Sequence, residues 1–273
     1  MTLNNVTMRS LFQDVKYRVA RTRSELEQAY RLVYLEYLNQ GYVSPSSSGL
    51  RMSIHNALPG TTTFVAVVDD AVTATATVIP DSPLGFPMDE LYAEELRPLR
   101  ARGARICEVS MLASSMELFS DRVPLMLNAK KMFLVFFLFR HIFDYVKLLL
   151  DVDYICITVN PKHANTYDAL LFQDLGGGLK FYGKVNGAPA VAKYLDVKSV
   201  DKQCTAAGRK SIHKMFLAGQ TDPDSFLAKL DFTPEDLRYF FVEKVDAFRS
   251  ATAAQMAYIR QCYPDYNFSE ICS

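Results

Sequence analysis

Glu108 and Ser110 stand two residues apart in the run Arg105 to Ala113, which reads as a strand, so the carboxyl and the hydroxyl share one face. A strand-borne carboxylate supports general-base chemistry: it accepts the proton that an attacking nucleophile sheds, directly or through a water. Near its ordinary value of ~4.3 a glutamate is a weak base, and Ile106, Val109 and Leu112 supply an apolar setting that raises it. The competing reading is a glutamate that pairs with an arginine and orders a sheet edge. Ser110 is placed to position a carbonyl or a relay water, and no G-x-S-x-G elbow surrounds it to suggest a serine hydrolase. Arg31 and Arg100 offer forks suited to a carboxylate, with ion pairing to a surface acid as the alternative for each. Asp81 opens a turn, and Asp89 caps the helix that follows. His55, His141, His163 and His213 lack metal-ligand spacing, so no metal is expected.

Periodicity gives the elements that must carry these residues. Lys16 to Ala20 reads as a strand. Two overlapping S/T-x-x-E boxes, from Thr22 and Ser24, then start a helix whose inner stripe is Leu26, Tyr30, Val33 and Tyr37 and which ends before Gly41. Gln40 to Gly60 is rich in Ser, Gly and Asn and long enough to predict a mobile functional flap. Thr61 to Val68 and Val72 to Ile79 predict a hairpin, with Thr73, Thr75 and Thr77 on a wetter face. Helical spacing over Asp89 to Arg100 precedes the Glu108 strand. A long buried helix from about Val123 to Leu150 and a strand from Asp153 to Val159 follow it. Asn160-Pro161 starts a short helix through Leu171, which Gly176 to Gly178 terminate. Asn186-Gly187 then turns between strands at Phe181 to Tyr182 and Ala190 to Leu195. Beyond Val197 the pattern is helical.

Composition narrows the class. With 30 Lys+Arg against 30 Asp+Glu in 273 residues, nothing favours nucleic acid or an anionic membrane as partner. Hydrophobic residues at 49% and aromatics at 12% exclude global disorder. The greasiest run, Met132 to Phe139, is far short of the ~20 residues a membrane helix needs, so no transmembrane segment is expected. Met1 to Val15 lacks the apolar stretch of a secretory signal, and the five cysteines show no CxxC spacing; a reduced, cytoplasmic protein is expected.

The order β-α-(α)-ββ-α-β-α-β-α-ββ resembles the GNAT N-acyltransferase fold: an α+β protein with a mixed sheet flanked by helices. Here residues 1–197 would form that domain and residues 198–273 a helical C-terminal extension packed on it. The resemblance implies that two central parallel strands, Arg105 to Ala113 and Asp153 to Val159, splay apart to admit a pantetheine arm. The stretch Asp81-Ser82-Pro83-Leu84-Gly85-Phe86-Pro87-Met88-Asp89-Glu90-Leu91-Tyr92, with Arg100, Gly103 and Glu108-Val109-Ser110-Met111-Leu112-Ala113, is similar to the long-chain N-acyl amino acid synthases. Arg31-Leu32-Val33-Tyr34, Gly41-Tyr42, Val159-Asn160-Pro161-Lys162-His163 with Tyr167, and Asn186-Gly187-Ala188-Pro189-Ala190 extend the match over about residues 17 to 197.

The resemblance implies transfer of a long fatty acyl group from an acyl carrier protein thioester to an amino acid's α-amine, with no tightly bound cofactor; the donor is the carrier's acyl-phosphopantetheine. Glu108 and Ser110 become the catalytic pair, and Arg31, Tyr34, Asp81, Arg100, Met111, Leu112 and Ala113 the acceptor site. Phe137, Asn160, His163 and Tyr167 become contacts for the acyl-pantetheine arm, although a packing tyrosine at Tyr167 and core packing for the Phe-rich helix are the plainer readings. Ser114 to Pro124 contains no glycine to cradle a coenzyme A pyrophosphate, which favours the carrier protein as donor. The alternatives are an acyl-homoserine lactone autoinducer synthase, whose strand arginine is replaced here by Met111 and whose tryptophans are missing, and a non-catalytic acyl or carrier-protein binding module.

Overall fold

Helix α1 (Arg23–Asn39) begins where Thr22 accepts a hydrogen bond from the Glu25 amide at 3.2 Å, while the Glu25 carboxylate turns back onto the Arg21 amide at 2.7 Å and onto Arg18 at 2.8 Å. The structure, a computed structural model, describes residues 15–115, 124–206 and 221–273. Strand β1 (Lys16–Val19) precedes α1. The hairpin β2 (Thr62–Val68) and β3 (Ala71–Pro80), helix α2 (Asp89–Ala101), β4 (Ile106–Ser114), α3 (Pro124–Leu148), β5 (Tyr154–Val159), short α4 (Ala164–Ala169), β6 (Gln173–Tyr182) and β7 (Ala188–Asp196) follow. The strands form one sheet in the order β1-β2-β3-β4-β5-β7-β6, in which β4 and β5 run parallel and every other pair antiparallel.

The face under α3 is apolar. Leu134, Leu138, Ile142 and Val146, at four-residue spacing, pack on Phe64, Val78, Cys107 and Ile155. On the opposite face α1 covers the hairpin, and α2 sets Tyr92, Leu96 and Leu99 against Ile79, Ile106 and Cys156. The expected wetter face is therefore buried: Thr73, Thr75 and Thr77 are at most 1% exposed. Their hydroxyls are satisfied within the sheet, Thr73 donating to the Ala66 carbonyl, Thr75 to the Phe64 carbonyl, and Thr77 sharing a bond with Thr63.

Beyond β7 come α5 (Val200–Ala206), α6 (Pro234–Arg238), a π-helical turn (Tyr239–Lys244), α7 (Ala253–Cys262) and α8 (Phe268–Ile271). Thr233 and Thr252 open α6 and α7 with reciprocal capping boxes to Asp236 and Gln255. Phe240, Phe241, Phe248 and Phe268 from this region pack with Leu26, Tyr30 and Val33 of α1 and with Leu50, Met52 and Leu58 of the following loop. The Tyr263 hydroxyl donates to the Ala57 carbonyl at 2.7 Å. These helices back the long loop between α1 and β2.

A second sequence expectation fails. Gly176, Gly177 and Gly178 do not stop a helix: α4 ends at Ala169, and the glycines lie inside β6, where the pairing with β7 shifts register. All three take positive φ, and a Cβ on Gly177 would overlap the Glu95 carboxylate of α2, so a glycine bulge lets helix and strand approach closely. No helix among the described residues is long and apolar enough to cross a membrane. Residues 1–14, most of the Ser114 to Pro124 stretch and His213 lie outside the described residues, as do the side chains of residues 124–133.

Candidate active site

The loop between β3 and α2 is closed by a clamp. The Arg100 guanidinium binds Asp81 at the loop's start (2.8 and 2.9 Å) and Asp89 at its end (2.6 and 2.7 Å), and it lies 5.0 Å from the Phe86 ring. Gly85 turns the loop at positive φ with no room for a side chain beside Asp89, whose carboxylate also accepts from the Phe86 amide at 2.6 Å. The product of this construction is one aimed amide: Met88 N–H donates to Glu108 Oε2 at 3.0 Å. Its peptide partner, the Pro87 carbonyl, accepts from the Tyr182 hydroxyl at 2.7 Å. A single trans peptide thus links the Glu108 carboxyl to the end of β6.

Glu108 is 3% exposed. Burial pushes its carboxyl up to about 8, with the Met88 amide opposing, the nearby Asp89 charge adding to the rise, and a Ser110 hydrogen bond opposing it. A carboxyl held that high is, once ionised, a much stronger base than an ordinary glutamate.

At Glu108 the sheet opens. β4 and β5 pair at Ile106 with Tyr154, Cys107 with Ile155 and Glu108 with Cys156, and then part. Beyond that point β4 stays on β3 as far as Ser114, while β5 stays on β7 as far as Val159. A bulge accompanies the parting: Thr77 faces Ser110 and Thr75 faces Ala113, so Met111 and Leu112 together oppose Ala76, with Met111 at φ 54°. The consequence is a fork in the sheet with a buried carboxyl at its vertex. The Thr158 hydroxyl of β5, on the face that Cys156 shares with Glu108, is buried without a hydrogen-bond partner.

Tyrosines line the mouth. The phenols of Tyr37 and Tyr182 each lie within the electrostatic reach of both Glu108 and Arg51, and burial raises both above the ordinary tyrosine range. Tyr42 meets Tyr37 edge-on at 5.8 Å. The expected flap is tied across the cleft: Lys162 donates to Gln40 at 2.6 Å, Asn186 to the Gly41 carbonyl at 3.0 Å, and Arg51 to the Lys184 carbonyl at 2.8 Å. Tyr34 contributes here, its hydroxyl accepting from the Ser46 amide at 2.9 Å.

The structure brings together Glu108, Ser110 and the bulge residues Met111, Leu112 and Ala113, and disperses other candidates. Arg100 is spent on Asp81 and Asp89, so Arg100 and Asp81 hold the loop instead of meeting an acceptor carboxylate. Arg31 is exposed and paired with Glu27 at 3.0 Å, one turn earlier on the helix. Phe137 packs against β1, its ring tilted 5.9 Å from that of Tyr17; it is Phe139 whose ring meets Tyr167, edge-on at 6.5 Å. Asn160 caps the turn after β5 by accepting from the Lys162 amide at 3.1 Å, and His163 is exposed beside it. Arg51, Tyr182 and the Met88 amide escaped the sequence reading. The first sits in the predicted flap, but a backbone amide leaves no side-chain signal.

A sequence model described as N-acyl amino acid synthase FeeM matches residues 28–196, from within α1 to the end of β7, and so contains the whole fork. The chain belongs to the FeeM family of N-acyl amino acid synthases. The solved FeeM enzyme, from uncultured soil microbes, is 30% identical with a TM-score of 0.59, over 71% of this chain and 98% of its own. The acyl-homoserine lactone synthase LasI gives 13% identity and a TM-score of 0.50 over 76% of this chain and 96% of its own, a likeness of fold alone. A search of curated proteins finds no match. Membership of the FeeM family makes the chain an N-acyltransferase on a GNAT-like sheet, and it assigns the Asp81 to Arg100 clamp to the family segment. The helices after β7 lie beyond the FeeM match.

Proposed function

We propose that the chain transfers a long-chain fatty acyl group from the phosphopantetheine thioester of acyl carrier protein to the α-amine of an amino acid, by direct attack of the amine. The observation that carries this reading is the parting of β4 from β5 immediately past a buried, base-strength Glu108. A thin thioester arm fits between two strands that keep their outer partners, and its carbonyl would then lie beside the Glu108 carboxyl. The amine nitrogen forms the new C–N bond, its proton passes to Glu108 directly or through a water held by Ser110, and the C–S bond breaks. The departing thiolate takes up the proton that the site releases, leaving Glu108 ionised for the next turnover. Amide groups at the Met111 bulge would face the oxyanion.

Acyl carrier protein is the favoured donor because the sequence from Ser114 to Pro124 contains no glycine for a pyrophosphate-binding loop. Bacterial cells expressing the chain are expected to accumulate N-acyl amino acids, read by mass spectrometry of organic extracts, and Glu108→Gln is expected to lower them at least about a hundredfold. Extracts unchanged by abundant, folded protein would overturn the proposal. A lactone product would instead indicate the autoinducer-synthase chemistry.

A further inference from the structure

An amino acid acceptor brings its own carboxylate into a cleft whose vertex is already a carboxyl, so the cleft must supply a cation. Four basic side chains from the elements around Glu108 are already engaged. Arg100 is held by Asp81 and Asp89, Lys184 by Glu90 at 2.9 Å, Arg31 by Glu27, and Lys162 by the Gln40 amide with its ammonium 5.5 Å from the Tyr42 ring. Arg51 differs. Among the described residues its guanidinium has no carboxylate partner; it makes one hydrogen bond, to the Lys184 carbonyl at 2.8 Å, and lies 5.9 Å from the Tyr37 ring centre. A guanidinium carries five N–H donors in a planar fork, so a single bond from Nη2 to a carbonyl leaves donors over for a carboxylate.

Arg51 is also built into the same scaffold as the base. Tyr182 holds the Pro87–Met88 peptide that donates to Glu108, and two residues later Lys184 presents the carbonyl that holds Arg51. The β6–β7 turn thereby fixes both groups. Asn186 of that turn ties down Gly41, the neighbour of Tyr42, whose hydroxyl is buried with no hydrogen-bond partner. The Tyr42 ring and the Arg51 guanidinium each lie within 6 Å of the Tyr37 ring centre, and a phenol without a partner together with a guanidinium without a carboxylate is what a polar, anionic ligand would complete.

We infer that Arg51 is the acceptor-recognition residue: it binds the free α-carboxylate of the amino acid bidentately and so turns the α-amine toward Glu108. The inference rests on the acyl-transfer reading above and sharpens it, because it makes the free carboxylate a condition for being a good substrate. Amino acid amides and decarboxylated amines keep the nucleophile but lose the anchor.

The test uses the full chain with dodecanoyl and hexadecanoyl acyl-carrier-protein thioesters, the common amino acids and their carboxamides, and kcat/KM for N-acyl product by mass spectrometry. The wild type is expected to prefer the best acid over its amide. Arg51→Gln is expected to lower kcat/KM for the acid about ten- to a hundredfold, the range for a charge-assisted hydrogen bond, and to leave the amide nearly unchanged. Arg51→Lys is expected to fall between the two, and it carries the test if the Gln variant does not fold. An acid-to-amide ratio that survives both substitutions, or a parallel loss for acid and amide, would overturn Arg51 as the anchor while leaving acyl transfer standing. A wild-type protein that acylates neither acids nor amides would instead overturn the parent reading and this inference with it.

Discussion

Glu108→Gln is predicted to make the protein more stable in alkali while removing its activity. Burial raises the Glu108 carboxyl from the ordinary 4.5 to about 8, so between those values the folded chain holds a proton that the unfolded chain has released. Stability must then fall as pH rises through that window. At about 1.36 kcal/mol per pH unit the ceiling on the loss is about 5 kcal/mol, reached above pH ~8 and absent below ~4.5. The amide of Gln is a neutral isostere that can still accept from the Met88 amide, so it experiences none of this. Urea unfolding at fixed ionic strength should give nearly equal stabilities at about pH 5, and a variant more stable by at least about 2 kcal/mol at about pH 9. A difference that stays flat across the range would refute the buried, proton-holding glutamate, and with it the source of base strength at the fork.

Two other outcomes follow from the same geometry. Arg100→Gln should cost about 1–2 kcal/mol in urea melts, because Asp81 and Asp89 lose a partly exposed shared partner, and it should leave the acid-over-amide preference intact. Phe240→Ala, at a fully buried ring between α1 and the C-terminal helices, should cost about 3–5 kcal/mol; a loss below about 1 kcal/mol would mean that this extension does not brace α1.

The succession of strands and helices along the chain was legible because hydrophobic period and cap-then-proline signals are local. Thr22, Asn160-Pro161 and Thr233-Pro234 each announce an element by chemistry within four residues. Glu108 was legible for a related reason: a charged residue in an apolar strand is conspicuous. What sequence could not give were properties that arise between elements. Thr73, Thr75 and Thr77 alternate as a solvent-facing strand does, but α1 covers them, and two carbonyls and the Thr63 hydroxyl within the sheet satisfy them. Three consecutive glycines suit a helix stop as well as a bulge, and only the approach of Glu95 decides between them. Arg31 and Arg100 had the right chemistry for an anion, yet acids at one helical turn and across a loop had already taken them. Arg51 was hidden among Ser and Gly, where its meaning depends on a turn about 130 residues later in the chain.

The most direct measurement is a single-turnover reaction of the purified chain with an acyl-carrier-protein thioester and an amino acid, followed as a function of pH. The account predicts one N-acyl amide formed for each thioester consumed, with a rate that rises toward a limb near the value of Glu108, about 8, and a Glu108→Gln variant that loses the limb with the activity. Thioester loss without amide, or a rate indifferent to both pH and Glu108, would contradict it.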